Sequence, residues 1–147
     1  MTTDDKTILD AVELAHLDSH KALKNKDINL YLSVFSDTAQ YTQLNGKTIG
    51  KMQLLKDTDA YFDRIHSVDH NYTQDSYSIE NNIFTENISQ DTSVYIRAFI
   101  IFLVKWNVQR KGIYSWQPEN GNWKIVSVKI TEEKTKREKG VWLFTKK

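Results

Sequence analysis

Ser93-Val-Tyr-Ile-Arg-Ala-Phe-Ile-Ile-Phe-Leu-Val-Lys-Trp106, Gly112-Ile-Tyr-Ser-Trp116 and Asn120-Gly-Asn-Trp-Lys-Ile-Val-Ser-Val-Lys-Ile130 are the stretches whose reading decides the fold. They predict three long strands joined by short turns. In the first, Tyr95, Phe99, Ile101 and Leu103 alternate with Val94, Ile96, Ile100, Phe102, Val104 and Trp106, so both faces are apolar. An antiparallel strand ordinarily keeps one wet face, which points to a second cover over the sheet. The expected cover is a second copy in a twofold homodimer through the sheet, with the tail residues Trp142 and Phe144 as the competing one.

Upstream of these strands the period changes. From about Asp5 to Asn25, Ile8, Val12, Ala15, Ser19, Ala22 and Leu23 share one arc at 100° per residue, with Asp10, Lys21 and Lys24 opposite. A first helix is predicted there, and Asp4 and Asp5 favour the positive end of its dipole. A short helix follows over Ile28 to Phe35, ended by Asp37-Thr-Ala. Alternation at Gln40-Tyr-Thr-Gln-Leu44 before Asn45-Gly46 reads as a short strand pair. Helical period returns over Lys51 to Ile65, and a strand is expected over Val68 to Ile79, with a turn at Glu80-Asn-Asn82. Helices first and long strands last predict a segregated α+β domain, a curved antiparallel sheet wrapped around the first helix. With no repeat or linker, residues 1–147 read as one domain, its core over about 5–130 and an extension over 131–147 that is charged and then apolar.

Composition removes several functions. Twenty basic against nineteen acidic side chains leave a net charge of +1, without the basic footprint of a nucleic-acid binder. The absence of cysteine excludes disulfides, thiolate catalysis and zinc-thiolate sites. The mean hydropathy of −0.57 reflects surface charge on a chain of ordinary globular hydrophobicity. The longest apolar run, Ala98 to Val104, is far short of the roughly 20 residues of a membrane span. The acidic, polar start lacks the pattern of a signal peptide, so a cytoplasmic protein is expected and the sequons at Asn71 and Asn87 are read as chance matches.

Leu23-Lys-Asn-Lys-Asp27, Leu32, Phe35, Asp37-Thr-Ala39, the turn at Gly46, Gly50-Lys51 opening a helix, and Asn120-Gly-Asn-Trp-Lys-Ile-Val-Ser127 together resemble the NTF2-like superfamily. That group includes the SnoaL-like cyclases, ketosteroid isomerase and scytalone dehydratase. The resemblance implies a cone-shaped, cystatin-like α+β barrel, usually dimeric, with a pocket between the first helix and the sheet. Carried over residue by residue, the isomerase's oxyanion tyrosine falls on Ser19, its proton-shuttling aspartate on Gln43, and its second oxyanion acid near Ser115. Neutral Ser and Gln cannot abstract a proton next to a carbonyl, so isomerase chemistry of that kind is not expected. On the closing strand, Ser127 and Lys129 stand where relatives often show a histidine or carboxylate.

The remaining polar inventory supplies the candidate site. His16, at the edge of the helix's apolar arc, is the candidate acid or base, having the one suitable unperturbed pKa. Ser19, Tyr41, Gln43, Tyr61, Arg97 and Ser115 are the candidate ligand-binding residues. Arg97 interrupts an apolar face and needs an anionic partner or a path to the rim; facing the pocket, it would favour an acidic ligand. His66 and His70 are four apart around Asp69, a spacing that invites a metal only if it stays helical, and neither a metal nor another cofactor is expected. Three readings follow. In the first, a neutral polar-aromatic pocket binds a small organic molecule. In the second, a SnoaL-like isomerase, lyase or cyclase uses His16 as acid or base. A scaffold binding another protein through its sheet is the third. A carboxylate paired with His16 inside the cavity would weaken the binding-only reading.

Overall fold

A computed structural model of the chain describes residues 3–100 and 102–142. Helix α1 (Thr3–Asn25) turns Val12 and Ala22 inward, packs Ile8, Leu9 and Ala15 on the core, and has Asp4 and Asp5 in its first turn. Lys26 adopts φ 54° and breaks the helix; α2 (Ile28–Ser33) then starts on Asp27, whose Oδ1 accepts from the Leu30 amide at 3.1 Å. Strands β1 (Phe35–Thr42) and β2 (Thr48–Gly50) precede α3 (Lys51–Arg64), and four long strands complete the chain: β3 (Ile65–Glu80), β4 (Ile83–Phe99), β5 (Phe102–Glu119) and β6 (Asn122–Trp142).

The six strands form one open sheet in the order β2-β1-β6-β5-β4-β3, and the expected barrel is not closed, because the edge strands β2 and β3 do not pair. The predicted α+β class holds, but the sheet is mixed: β1 runs parallel to β6, while the other pairings are antiparallel. The parallel pair arises because α3 carries the chain from β2 at one edge to β3 at the other, and the antiparallel β3–β6 meander then returns to lie beside β1. Two hairpins close on residues with positive φ, Asn81-Asn82 (51° and 62°) and Asn120-Gly121 (52° and 82°), the combination that suits the strands' twist. At Asn45-Gly46 the loop is longer: Gly46 N–H donates to the Gln43 carbonyl at 2.9 Å and the Lys47 amide to Asn45 Oδ1 at 2.9 Å.

The sequence predicts one strand over Ser93–Trp106; the structure folds that run back on itself. Arg97 stands opposite Leu103 and Phe99 opposite Phe102, so β4 ends and β5 begins inside the apolar run. No glycine, proline or asparagine announces this turn, and the Arg97 Nη1 donates to the Ile100 carbonyl at 2.5 Å across it. Halving the run changes which residues share a face. Away from the tip, the face turned from α1 is polar: Asn87 donates to Ser76 Oγ at 2.8 Å, Ser89 to Asp75 at 2.5 Å and Asn107 to Asp91 at 2.6 Å. The charged stretch Thr131–Lys139, read as part of an extension, continues β6 as its second half alongside β5. Phe144 lies outside the described residues.

The core sits between α1, α2 and the inner sheet face. Phe84, Trp116, Ile88 and Val128 on the sheet meet Val12 and Leu32 from the helices. A second cluster, Phe62, Ile65, Val68 and Val94, holds the end of α3 against the sheet. Between these clusters the interior is not filled.

Candidate active site

Alternate residues of the long strands face α1, and the register aligns them in rows. Glu86, Ile88, Gln90 and Thr92 on β4 stand opposite Tyr114, Gly112, Arg110 and Val108 on β5. Tyr72 and His70 on β3 face Gln90 and Thr92; Glu133 on β6 faces Arg110. With α1 above them, these rows enclose a cavity of about 680 Å³, within the range of small-molecule sites. Gly112 keeps the middle row low.

Behind His16, at one end of the cavity, stands Glu86, which is 0% exposed. Its Oε2 takes His16 Nε2 at 2.7 Å and the Trp116 indole N–H at 2.6 Å, and its Oε1 takes the Gln74 side-chain amide at 2.9 Å. Trp116 has only a donor to offer, and Gln74 presents its NH₂. With a fixed donor on each oxygen, Trp116 on Oε2 and Gln74 on Oε1, the carboxyl is assigned its acceptor-only form. His16 therefore donates through Nε2, which in the neutral ring leaves Nδ1 as the nitrogen with a lone pair. The imidazole is 11% exposed and held on three sides: Tyr72 at 4.6 Å between ring centroids, Trp116 at 5.2 Å and edge-on, Tyr114 at 6.5 Å.

The other end is built on Arg110. Its Nε donates to Glu133 Oε2 at 2.8 Å, and the Tyr41 hydroxyl lies beside the guanidinium. Burial works against the arginine's charge, but Tyr41 and Glu133 outweigh it and raise the pKa further, so this cation is permanent. Burial also raises the phenols of Tyr31, Tyr41, Tyr61 and Tyr114, which stay protonated as donors. Gln90 Nε2 donates to the Tyr114 hydroxyl at 3.0 Å. On the neighbouring row, His70 Nδ1 meets Thr92 Oγ1 at 2.8 Å and its ring lies 6.0 Å from that of His20. Burial, followed by the nearby charges of His20, Arg110 and His16, lowers the His70 pKa to about 4 and keeps it neutral.

Of the residues the sequence nominates, His16, Ser19, Tyr41, Gln43 and Tyr61 line this cavity. Arg97 does not; it is exposed at the β4–β5 tip, 3.5 Å from His66 Nδ1. Ser115 does not line it either: between the inward Tyr114 and Trp116, it pairs with Ser127 and Thr85 on the opposite face. His66 and His70 sit on β3, where four residues span about 13 Å, so the helical spacing that would bring them together is lost. Among the described residues no cluster of three or more potential ligands is arranged for a metal. The expectation of a neutral pocket fails: Arg110 and Glu133 are charged residues in its wall, and Glu86 stands buried behind His16, all three passed over by sequence reading. The available clue is Phe84-x-Glu86-x-Ile88, a carboxylate flanked at both period-2 positions by large apolar residues.

No family model matches this sequence, and no curated protein sequence matches it. Solved structures do. A candidate scytalone dehydratase from Novosphingobium aromaticivorans superposes with a TM-score of 0.78 at 9% identity, covering 99% of this chain and 94% of that one. A hexachlorocyclohexane dehydrochlorinase from Novosphingobium barchaimii gives 0.68 at 12% identity over 95% and 92%. A candidate dehydratase of the NTF2-like family from Streptomyces avermitilis gives 0.66 at 12% identity over 85% and 96%. The fold is NTF2-like. At these identities the likeness is one of architecture alone.

Proposed function

We propose that the protein is an acid–base enzyme, a lyase or isomerase that moves a proton on a small organic molecule bound in the cavity. The single observation behind this is the His16 Nε2 to Glu86 Oε2 contact of 2.7 Å, made by a carboxylate that is fully buried. A buried acid on the far nitrogen fixes the tautomer and stabilises the imidazolium that forms when the near nitrogen takes a proton. His16 Nδ1 would remove a proton from a carbon next to an electron-withdrawing group, and the C–H pair would become a carbon–carbon double bond. The imidazolium would then return its proton to a departing hydroxyl, releasing water, or to a different carbon, completing an isomerisation. Elimination is favoured by the names of the structural relatives, two candidate dehydratases and a dehydrochlorinase.

Exchange of carbon-bound hydrogen in D₂O, followed by NMR over a panel of small ketones, β-hydroxy carbonyl compounds and acids, tests the reading whatever the product turns out to be. Catalysed exchange is expected, falling by about 10²–10⁴ in His16→Gln. Binding without exchange for every compound would leave a ligand-binding protein and sink the enzymatic reading.

A further inference from the structure

Each partner of Arg110 leaves part of the guanidinium unused. Arginine carries five N–H donors. The contact with Glu133 uses Nε alone, at 2.8 Å, in an ion pair whose side chains are each 34% exposed. Gln90, opposite Arg110, is committed to the Tyr114 hydroxyl and adds no charge. Phenols and the neutral His70 surround the rest, and none of them is an anion. Among the described lining residues Arg110 is the one permanent cation. Of the nearby carboxylates, Glu86 lies behind the lining and is saturated by three donors, and Asp57 is exposed and takes the Gln53 amide at 2.9 Å. Glu133, on the rim, orients Arg110 without using its terminal amines.

The distance to His16 is right for one small molecule to use both ends. Tyr72, on whose ring His16 lies, occupies the same row as Gln90 and Arg110, two strands away. Two strand spacings amount to about 10 Å between backbones, and the side chains extend towards each other from there. Ile88, Tyr31 and Tyr114 give the same cavity apolar and aromatic lining.

We infer that the cavity takes a small apolar carboxylic acid, its carboxylate on the terminal amines of Arg110 with the Tyr41 hydroxyl as a further donor and its hydrocarbon part reaching His16. This names the substrate class for the proposed proton transfer and rests on the cavity being its site. A planar guanidinium held at Nε suits a carboxylate's two oxygens, and an uncharged phenol does not compete for the guanidinium as an anion would.

The test compares 3-phenylpropionate, its primary amide and 3-phenylpropylamine by isothermal calorimetry, with short alkyl acids as a second series. The acids should bind at least about tenfold more tightly than the amide, more weakly at high salt, and the amine should bind least. Arg110→Gln should bring acid and amide together. Glu133→Gln, which removes the competing charge and leaves Arg110 in place, should tighten the acid several-fold. His16→Gln should keep the acid-over-amide preference while losing any exchange, so failure of the proton-transfer reading is separable from failure of this one. An acid-to-amide ratio near one in the wild type, a ratio unchanged in Arg110→Gln, or preference for the amine would overturn the inference. If Arg110→Gln does not fold, the wild-type ratio, its salt dependence and the Glu133→Gln response decide the matter.

Discussion

Replacing Glu86 separates its charge from its hydrogen bonds. In Glu86→Ala, His16, Trp116 and Gln74 all lose their acceptor. Each bond to a charged group contributes about 1.5–3 kcal/mol, and neighbouring bonds do not add in full, so about 4 kcal/mol is expected for the set with its small cavity. Glu86→Gln has a different outlook. Its carbonyl can keep His16 and Trp116 at the Oε2 position, while its NH₂ meets Gln74, whose own amide can rotate to offer oxygen. The loss should then be about 1 kcal/mol. For a chain of 147 residues each kcal/mol moves Tm by roughly 3–4 °C, giving drops of about 14 °C for alanine and about 4 °C for glutamine. Thermal unfolding followed by circular dichroism measures both. Catalysed exchange should fall by about 10²-fold or more even in the well-folded glutamine variant, which cannot stabilise an imidazolium. Equal melting losses for the two variants, or an alanine variant within about 1 kcal/mol of wild type, would refute the three-donor account of this carboxylate.

His70 should make stability fall in acid. Its folded pKa, about 4, lies below the ordinary histidine value of 6.5, so between these values the unfolded chain binds the extra proton and stability rises with pH. That contribution is complete above about pH 6.5, is lost as pH falls towards 4, and is on the order of 3 kcal/mol. In His70→Gln, chemical denaturation across this window should give a visibly flatter pH profile; an unchanged slope would assign the acid sensitivity elsewhere. At Gly112 a methyl group would meet Ile130 Cδ1 at 3.2 Å, the Lys129 carbonyl oxygen at 3.2 Å and Tyr114 Cε1 at 3.3 Å. Because one of these is backbone, Gly112→Ala should destabilise by about 1–2 kcal/mol in denaturant titrations, and a neutral or stabilised variant would show that the middle row has slack.

The elements of this fold are legible where the signal is local. The 3.6-residue period over Ile8 to Leu23 and over Lys51 to Ile65 reports a buried stripe that each helix carries by itself, and α1 and α3 fall within two residues of the predicted bounds. Turns with asparagine or glycine at positive φ announce themselves too. The β4–β5 turn does not, because Ser93–Trp106 is continuous in hydropathy and only the pairing of Arg97 with Leu103 reveals where it reverses. The difference matters for function. A single strand across the run puts Arg97 in an apolar wall and makes both sheet faces dry; the hairpin puts it at an exposed tip and leaves the outer face polar.

His16 is legible for the same reason as α1, since its place beside the apolar arc is a helical property. Its partner is not, because Glu86 lies 70 residues away and meets it only after β4 has crossed under the helix. Transferring functional positions from relatives looks at Ser19, Gln43 and Ser115, finds no acid, and concludes that the pocket is neutral; the fold instead hangs its carboxylate from a different strand. The same holds for Arg110, whose neighbours Gln109 and Lys111 make it look like surface until the register sets it opposite Gln90 on the inner row. On a strand buried along one face, a charged residue flanked two positions away by large apolar ones is forced inward with them. Phe84-Thr-Glu86-Asn-Ile88 has that form, and the pattern locates an inward charge without alignment, though only the tertiary fold supplies the His16, Trp116 and Gln74 that make it tolerable.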